Sequence, residues 1–117
     1  MKVAVVTPTI GSDYLSQCIY SVDKQTYPDV THYIFADGVD NFDKVAKQIE
    51  GATKVKKIAL EENVGKGWYG HRVYAACSFL VNADVICYLD EDNWIEPEHI
   101  QKMVEKIQAG NDWVYSL

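Results

Sequence analysis

Short apolar runs alternate with stretches in which apolar residues recur every three or four positions, the pattern of strands joined by crossover helices. Val3 to Thr7 reads as a first strand. Tyr14, Leu15, Cys18, Ile19 and Val22 fall on one helical face, with Ser12 or Asp13 placed to cap the helix and Pro28 beyond its end. Thr31 to Ala36 is a second strand, and Phe42, Val45, Ala46 and Ile49 mark a second helix that Gly51 can terminate. Lys54 to Leu60 is a third strand and Val73, Ala76, Cys77 and Leu80 a third helix. Val85 to Leu89 is apolar almost throughout, as suits a strand buried on both faces. A fourth helix has Pro97 at its first position, the stripe Ile100, Met103, Val104 and Ile107, and Gly110 at its C-terminal cap. Asp112 to Leu117 reads as the start of a short fifth strand.

Right-handed crossovers leave few sheet orders for this series, and 3-2-1-4 fits best. The expectation is one α/β, Rossmann-like domain over residues 1–117, mostly parallel, with helices on both faces. Ligands of such sheets bind outside the carboxyl ends of the strands where the order reverses, here between strands 1 and 4. Those ends carry Thr7-Pro8-Thr9, Asp37-Gly38 and Asp90-Glu91-Asp92.

Composition narrows the partners. With 48% hydrophobic and 24% charged residues the chain is an ordinary globular domain. Its net charge of −6 and lack of a basic run argue against nucleic acid and anionic lipid. An anionic phosphate ligand would then need a helix N-terminus, a few placed basic groups or a bridging cation. Cys18, Cys77 and Cys87 are odd in number, widely spaced and set in apolar segments, which points to buried thiols in a reducing compartment. The short apolar run after Lys2 does not make a signal peptide, and no stretch is apolar for long enough to span a membrane. A cytoplasmic location is the expectation.

Asp90 and Asp92 leave the apolar fourth strand together, as carboxylates that hold Mg2+ or Mn2+ alongside phosphate oxygens and water would do. A solvated acidic turn before the next helix would look the same. An EF-hand beginning at Asp90 fails, because Trp94 and Ile95 stand where a ligand and a glycine are required. A phosphoaspartyl enzyme would carry its acidic pair after the first strand, which here ends in Thr7-Pro8. Asp37 can accept hydrogen bonds from a base or ribose, or simply form an Asp-Gly turn. Thr7, Pro8 and Thr9 make a stiff strand exit with two hydroxyls, suited to a nucleotide or to an ordinary strand-to-helix turn. Gly65 to Gly70 matches G-x-G-x-x-G, but four residues separate it from the strand and Trp68-Tyr69 are bulky, so a dinucleotide site is a weak reading. Lys66 between glycines and Arg72 at the next helix could reach phosphates. Neither a P-loop nor a G-x-S-x-G nucleophile is present.

Together these landmarks resemble the family 2 glycosyltransferases of the GT-A fold, over essentially the whole chain. Val3 to Thr9 is similar to the family's first nucleotide-contacting strand, and Ser21-Val22 with Gln25-Thr26-Tyr27-Pro28 to its S-v-x-x-Q-t-y-p segment. Asp37-Gly38 resembles the base-binding turn, Asn63-Val64-Gly65-Lys66-Gly67 the N-x-G-x-g loop, and Asp90-Glu91-Asp92 with Pro97 the D-x-D and its following helix. The resemblance implies a hexosyltransferase-like enzyme that binds a nucleoside-diphosphate sugar, a UDP-sugar first among them. Thr7, Pro8, Thr9 and Asp37 would hold the nucleoside, Asn63 would be a further nucleotide-sugar contact, and Lys66 and Arg72 would be phosphate or donor contacts. Asp90 would approach ribose or sugar, and Asp90 and Asp92 would hold Mn2+ or Mg2+. The acceptor would be a saccharide, lipid or protein. No general base is assigned, since by the resemblance that carboxylate lies beyond Leu117, and the chain is expected to stop before the acceptor region. Trp113, Val114 and Tyr115 would then be exposed and favour self-association through the C-terminal strand. A non-catalytic nucleotide-binding module and a dinucleotide-dependent oxidoreductase are the other readings.

Overall fold

A computed structural model describes residues 1–116. Its elements run β1 (Val3–Thr9), α1 (Leu15–Asp23), β2 (Val30–Asp37), a single 3-10 turn (Val39–Asn41), α2 (Phe42–Ile49), β3 (Val55–Leu60), α3 (His71–Cys77), β4 (Val85–Tyr88) and α4 (His99–Gln108). The sheet is parallel throughout with order β3-β2-β1-β4, as the alternation of patterns predicts.

Alternation along β1 sorts the core into two layers. Val3 and Val5 face α1 and α4, packing with Cys18, Val22, Ile100 and Val104. On the same side Ile34 and Ala36 of β2 pack with Leu15, Ile19 and Val45 of α1 and α2. Val6 and Phe35 point the other way, onto Val73 and Cys77 of α3. Helices therefore cover both faces. Cys18 and Cys77 are buried and all three thiols are free, and burial pushes Cys18 up to about 12 and Cys87 up to about 11.

β1 runs two residues further than its apolar run suggests, through Pro8. Even-numbered residues of β1 turn their backbone groups toward β4, as the Leu89 amide bonding to the Val6 carbonyl shows. Beyond that bond β4 has ended, so the amide hydrogen that proline lacks costs no ladder bond. The two helix starts also differ from expectation. Tyr14, not Ser12 or Asp13, precedes α1, and no side chain caps it. α4 begins at His99, two residues after Pro97, and the Ile100 amide is satisfied from the loop that follows α1, by Gln25 Oε1 at 2.9 Å. Gly110 does end α4 as expected: at φ +103° it lets its own amide reach Ile107 and that of Asn111 reach Lys106.

The fifth strand is not formed by the described residues. Asp112 to Ser116 carry no strand pairing, and Leu117 lies outside the described residues. A strand needs a ladder of backbone bonds to a neighbour, and none ties this segment to the free edge of β4. Trp113 and Tyr115 instead stack on each other, 5.6 Å between ring centroids, and stay largely exposed.

Candidate functional site

The carboxyl ends of β1, β2 and β4 open into one cleft of about 950 Å3, walled on its outer side by the loop between β3 and α3. Pro8, Thr9, Asp37, Asn63, Lys66, Asp90 and Asp92 all line it. Two expected residues do not. Thr7 is buried beneath the floor, and Arg72 stands outside with its guanidinium 4.7 Å from the Trp68 ring centroid.

Thr7 ties the sheet together below the cleft. Its hydroxyl donates to the Leu89 carbonyl at 2.8 Å, and the His32 ring nitrogen Nε2 lies 2.9 Å from the same oxygen. A hydroxyl has one hydrogen, so with it committed to Leu89 the oxygen accepts from His32, which fixes the Nε2-H tautomer. Nδ1 is then a bare acceptor, buried without a partner. Desolvation disfavours the charged ring and lowers His32 to about 4, partly opposed by Asp23.

Asp37, almost fully buried, anchors the outer wall. Its two oxygens accept the amides of Val64 and Gly65, each at 2.7 Å. Only glycine fits at position 65, since a Cβ there would lie 2.6 Å from Asp37 Oδ2 and 2.9 Å from the Gly70 Cα. Gly70 at φ +76° then turns the chain into α3. G-x-G-x-x-G thus serves loop closure against Asp37 rather than a turn directly after a strand.

At β4 the three acidic residues divide their work. Glu91 Oε2 accepts from the Thr9 hydroxyl and from the Ser12 amide at 3.1 Å, tying the β4 exit to the β1 exit. Asp90 Oδ1 accepts from the Tyr74 hydroxyl at 2.6 Å. Burial, followed by that bond, pushes the Tyr74 phenol above its ordinary range. Asp92 is exposed at the cleft. Among the described residues no three His, Cys, Asp or Glu side chains form a metal cage. Two carboxylates on one turn instead fit a hard cation whose remaining ligands are phosphate oxygens and water.

Tyr74, Ser12 and Tyr14 also line the cleft and were not expected there. Helical spacing identifies Val73 and Cys77 as core but carries no sign that their neighbour meets Asp90, sixteen residues later.

A parallel sheet whose strand exits gather carboxylates, hydroxyls and a glycine-rich loop at its order reversal is an α/β domain of the GT-A type. The model of glycosyl transferase family 2 matches residues 4–116, and the chain belongs to that family. It is 31% identical over 115 residues to an uncharacterized glycosyltransferase of Nostoc sp., alr2836, covering 95% of this chain and 34% of that protein. It is 26% identical over 102 residues to the EpsH protein of Bacillus subtilis, covering 86% of this chain and 28% of that one. The chain thus spans about a third of the length of these relatives. Among solved structures, S. aureus TarS 1-349 in complex with UDP-GlcNAc aligns at a TM-score of 0.74 and 20% identity, over 93% of this chain and 32% of that one. Among the described residues no helix is long and apolar enough to cross a membrane.

Proposed function

We propose that this chain is the donor-binding part of a glycosyltransferase, taking a UDP-sugar in the cleft for transfer to a saccharide, lipid or protein acceptor. The observation that carries the reading is the convergence of three strand exits, bearing Thr9, Asp37 and the Asp90–Asp92 turn, on one cleft with Lys66 on its far wall. Family membership supports it, as does the solved UDP-GlcNAc complex of the similarly folded TarS.

In this reading the nucleoside lies along Pro8, Thr9, Asp37 and Asn63. Asp37 spends one lone pair of each oxygen on the loop amides and offers what remains at the cleft edge. Lys66 meets the phosphates, and Arg72, in the first turn of α3, becomes a further donor contact once its guanidinium leaves the Trp68 ring. Asp90 meets ribose or sugar. A diphosphate cannot approach Asp90, Glu91 and Asp92 without a counter-charge, so Asp90 and Asp92 would hold Mn2+ or Mg2+. When bound, the cation supplies a Lewis acid for the departing diphosphate, where negative charge develops.

Incubation with a radiolabelled UDP-sugar and Mn2+, with and without candidate acceptors, tests the reading. Metal-dependent retention of label without turnover is the expected result for this donor-binding part. UDP release or transfer of label would separate an enzyme from a non-catalytic nucleotide-binding module. Metal-independent binding of NAD in place of UDP-sugar would overturn the donor-site reading.

A further inference from the structure

The hydroxyl of Tyr74, on α3, meets Asp90 at the lining of the cleft. Nothing about the packing of α3 requires this contact, because Val73 and Cys77 already bury that helix against Val6 and Phe35. The Tyr74 ring is held in place independently of its hydroxyl. It meets the Tyr88 ring edge to face, 5.6 Å between centroids and 81° between planes. Tyr88 ends β4, two residues before Asp90. Helix and strand thus fix the ring between them, and the hydroxyl is presented to Asp90 Oδ1 at 2.6 Å with little freedom left to lose.

A free carboxylate at a strand exit samples several rotamers and can turn both oxygens to solvent or to one ligand. Here the tyrosine hydroxyl takes one lone pair of Oδ1 and pins the carboxylate, whose remaining lone pairs have no side-chain donor among the described residues. Glu91, between the two aspartates, is held by Thr9 and Ser12, so the backbone on which Asp90 and Asp92 stand is fixed as well. We infer that Tyr74 is a positioning residue for Asp90, its hydroxyl holding one carboxylate oxygen so that Asp90 offers its carboxylate in one preset orientation to a cation shared with the diphosphate of a bound nucleotide. This deepens the proposed function and rests on its donor-and-cation site.

Tyr74→Phe removes the hydroxyl and keeps the ring, so the edge-to-face contact with Tyr88 survives. Calorimetric titration of the protein with UDP, at a series of Mn2+ concentrations including none, reads the effect. Loss of a partner that orients a metal ligand typically weakens metal affinity about 10- to 100-fold. The expected result is a Mn2+ requirement raised at least about tenfold, with metal-free UDP affinity and the melting temperature of the unliganded protein near wild type. A purely structural tyrosine would move the melting temperature and both affinities together. In an Asp90→Ala background the same substitution should change the Mn2+ requirement less than about twofold, because the hydroxyl then has nothing to position. Wild-type-like Mn2+ dependence in Tyr74→Phe, or an equal loss in the Asp90→Ala background, would overturn the positioning role alone. Absence of Mn2+-linked UDP binding in the wild type would overturn the donor-and-cation site, and the positioning role with it.

Discussion

Thr7 and His32 show how a buried polar pair constrains one titration. The fold holds His32 neutral, because a charged ring would be desolvated and its Nδ1 has no acceptor to receive a proton's hydrogen bond. Above about pH 6.5 both folded and unfolded chains carry the neutral ring, and this contribution to stability is complete. Between 6.5 and the folded value of about 4 the unfolded chain takes up a proton that the folded one refuses, so stability falls with pH. At ~1.4 kcal/mol per pH unit the loss approaches about 3 kcal/mol by pH 4. Urea unfolding at pH 7 and pH 4.5 should show the wild type losing more stability than His32→Gln, which keeps a donor for Thr7 but does not titrate. Equal losses would contradict the assignment. None of this was legible in the sequence beyond His32 standing inside a strand. The pairing of Thr7 with His32 depends on strand register, which sets Val5 opposite His32 and brings the next inward position of β1 within reach. Thr7 accordingly belongs to the floor of the site rather than to its lining.

Between elements, side chains replace the caps that local sequence seemed to promise. Gln25, 5% exposed, donates to the carbonyls of Ser21 and Glu96 and accepts the Ile100 amide, while the Thr26 amide reaches the Pro97 carbonyl at 2.8 Å. One residue thereby fastens the end of α1 to the start of α4 and to the segment following Asp92. Gln25→Ala leaves these buried groups unpaired and should cost about 2–3 kcal/mol in chemical denaturation. The outer wall depends likewise on Asp37 and Gly65. Gly65→Ala pushes a methyl group into Asp37 and Gly70, so the loop should open more often. Trypsin cleavage after Lys66 should then accelerate at least about tenfold while the rest of the domain stays resistant. Helix identities followed from periodicity because each helix buries one apolar face, and strand identities from short apolar runs such as β1, which is buried on both faces. Their ends did not, since the α4 start is satisfied from Gln25 and β1 continues through Pro8 where its neighbour has already left.

For the molecule as a whole, the sheet order and the meeting of three strand exits were readable from the alternation of patterns and the handedness of crossovers, because those rules leave few arrangements. The short fifth strand was not, because a run of suitable residues becomes a strand only when an edge pairs with it. The same fold makes an acidic protein, net −6, gather four carboxylates at the cleft proposed here to take a diphosphate. Nucleotide alone should therefore bind poorly, and a dication should couple strongly to it. The melting temperature measured with UDP, with and without Mn2+, and in Asp92→Ala, tests that coupling most directly. At a ligand concentration 100 times Kd the gain in stability is about 2.7 kcal/mol, a rise of several degrees for a domain of this size. The account predicts that rise only with UDP and Mn2+ together, and its loss in Asp92→Ala. An equal rise without metal, or an undiminished one in Asp92→Ala, would contradict it.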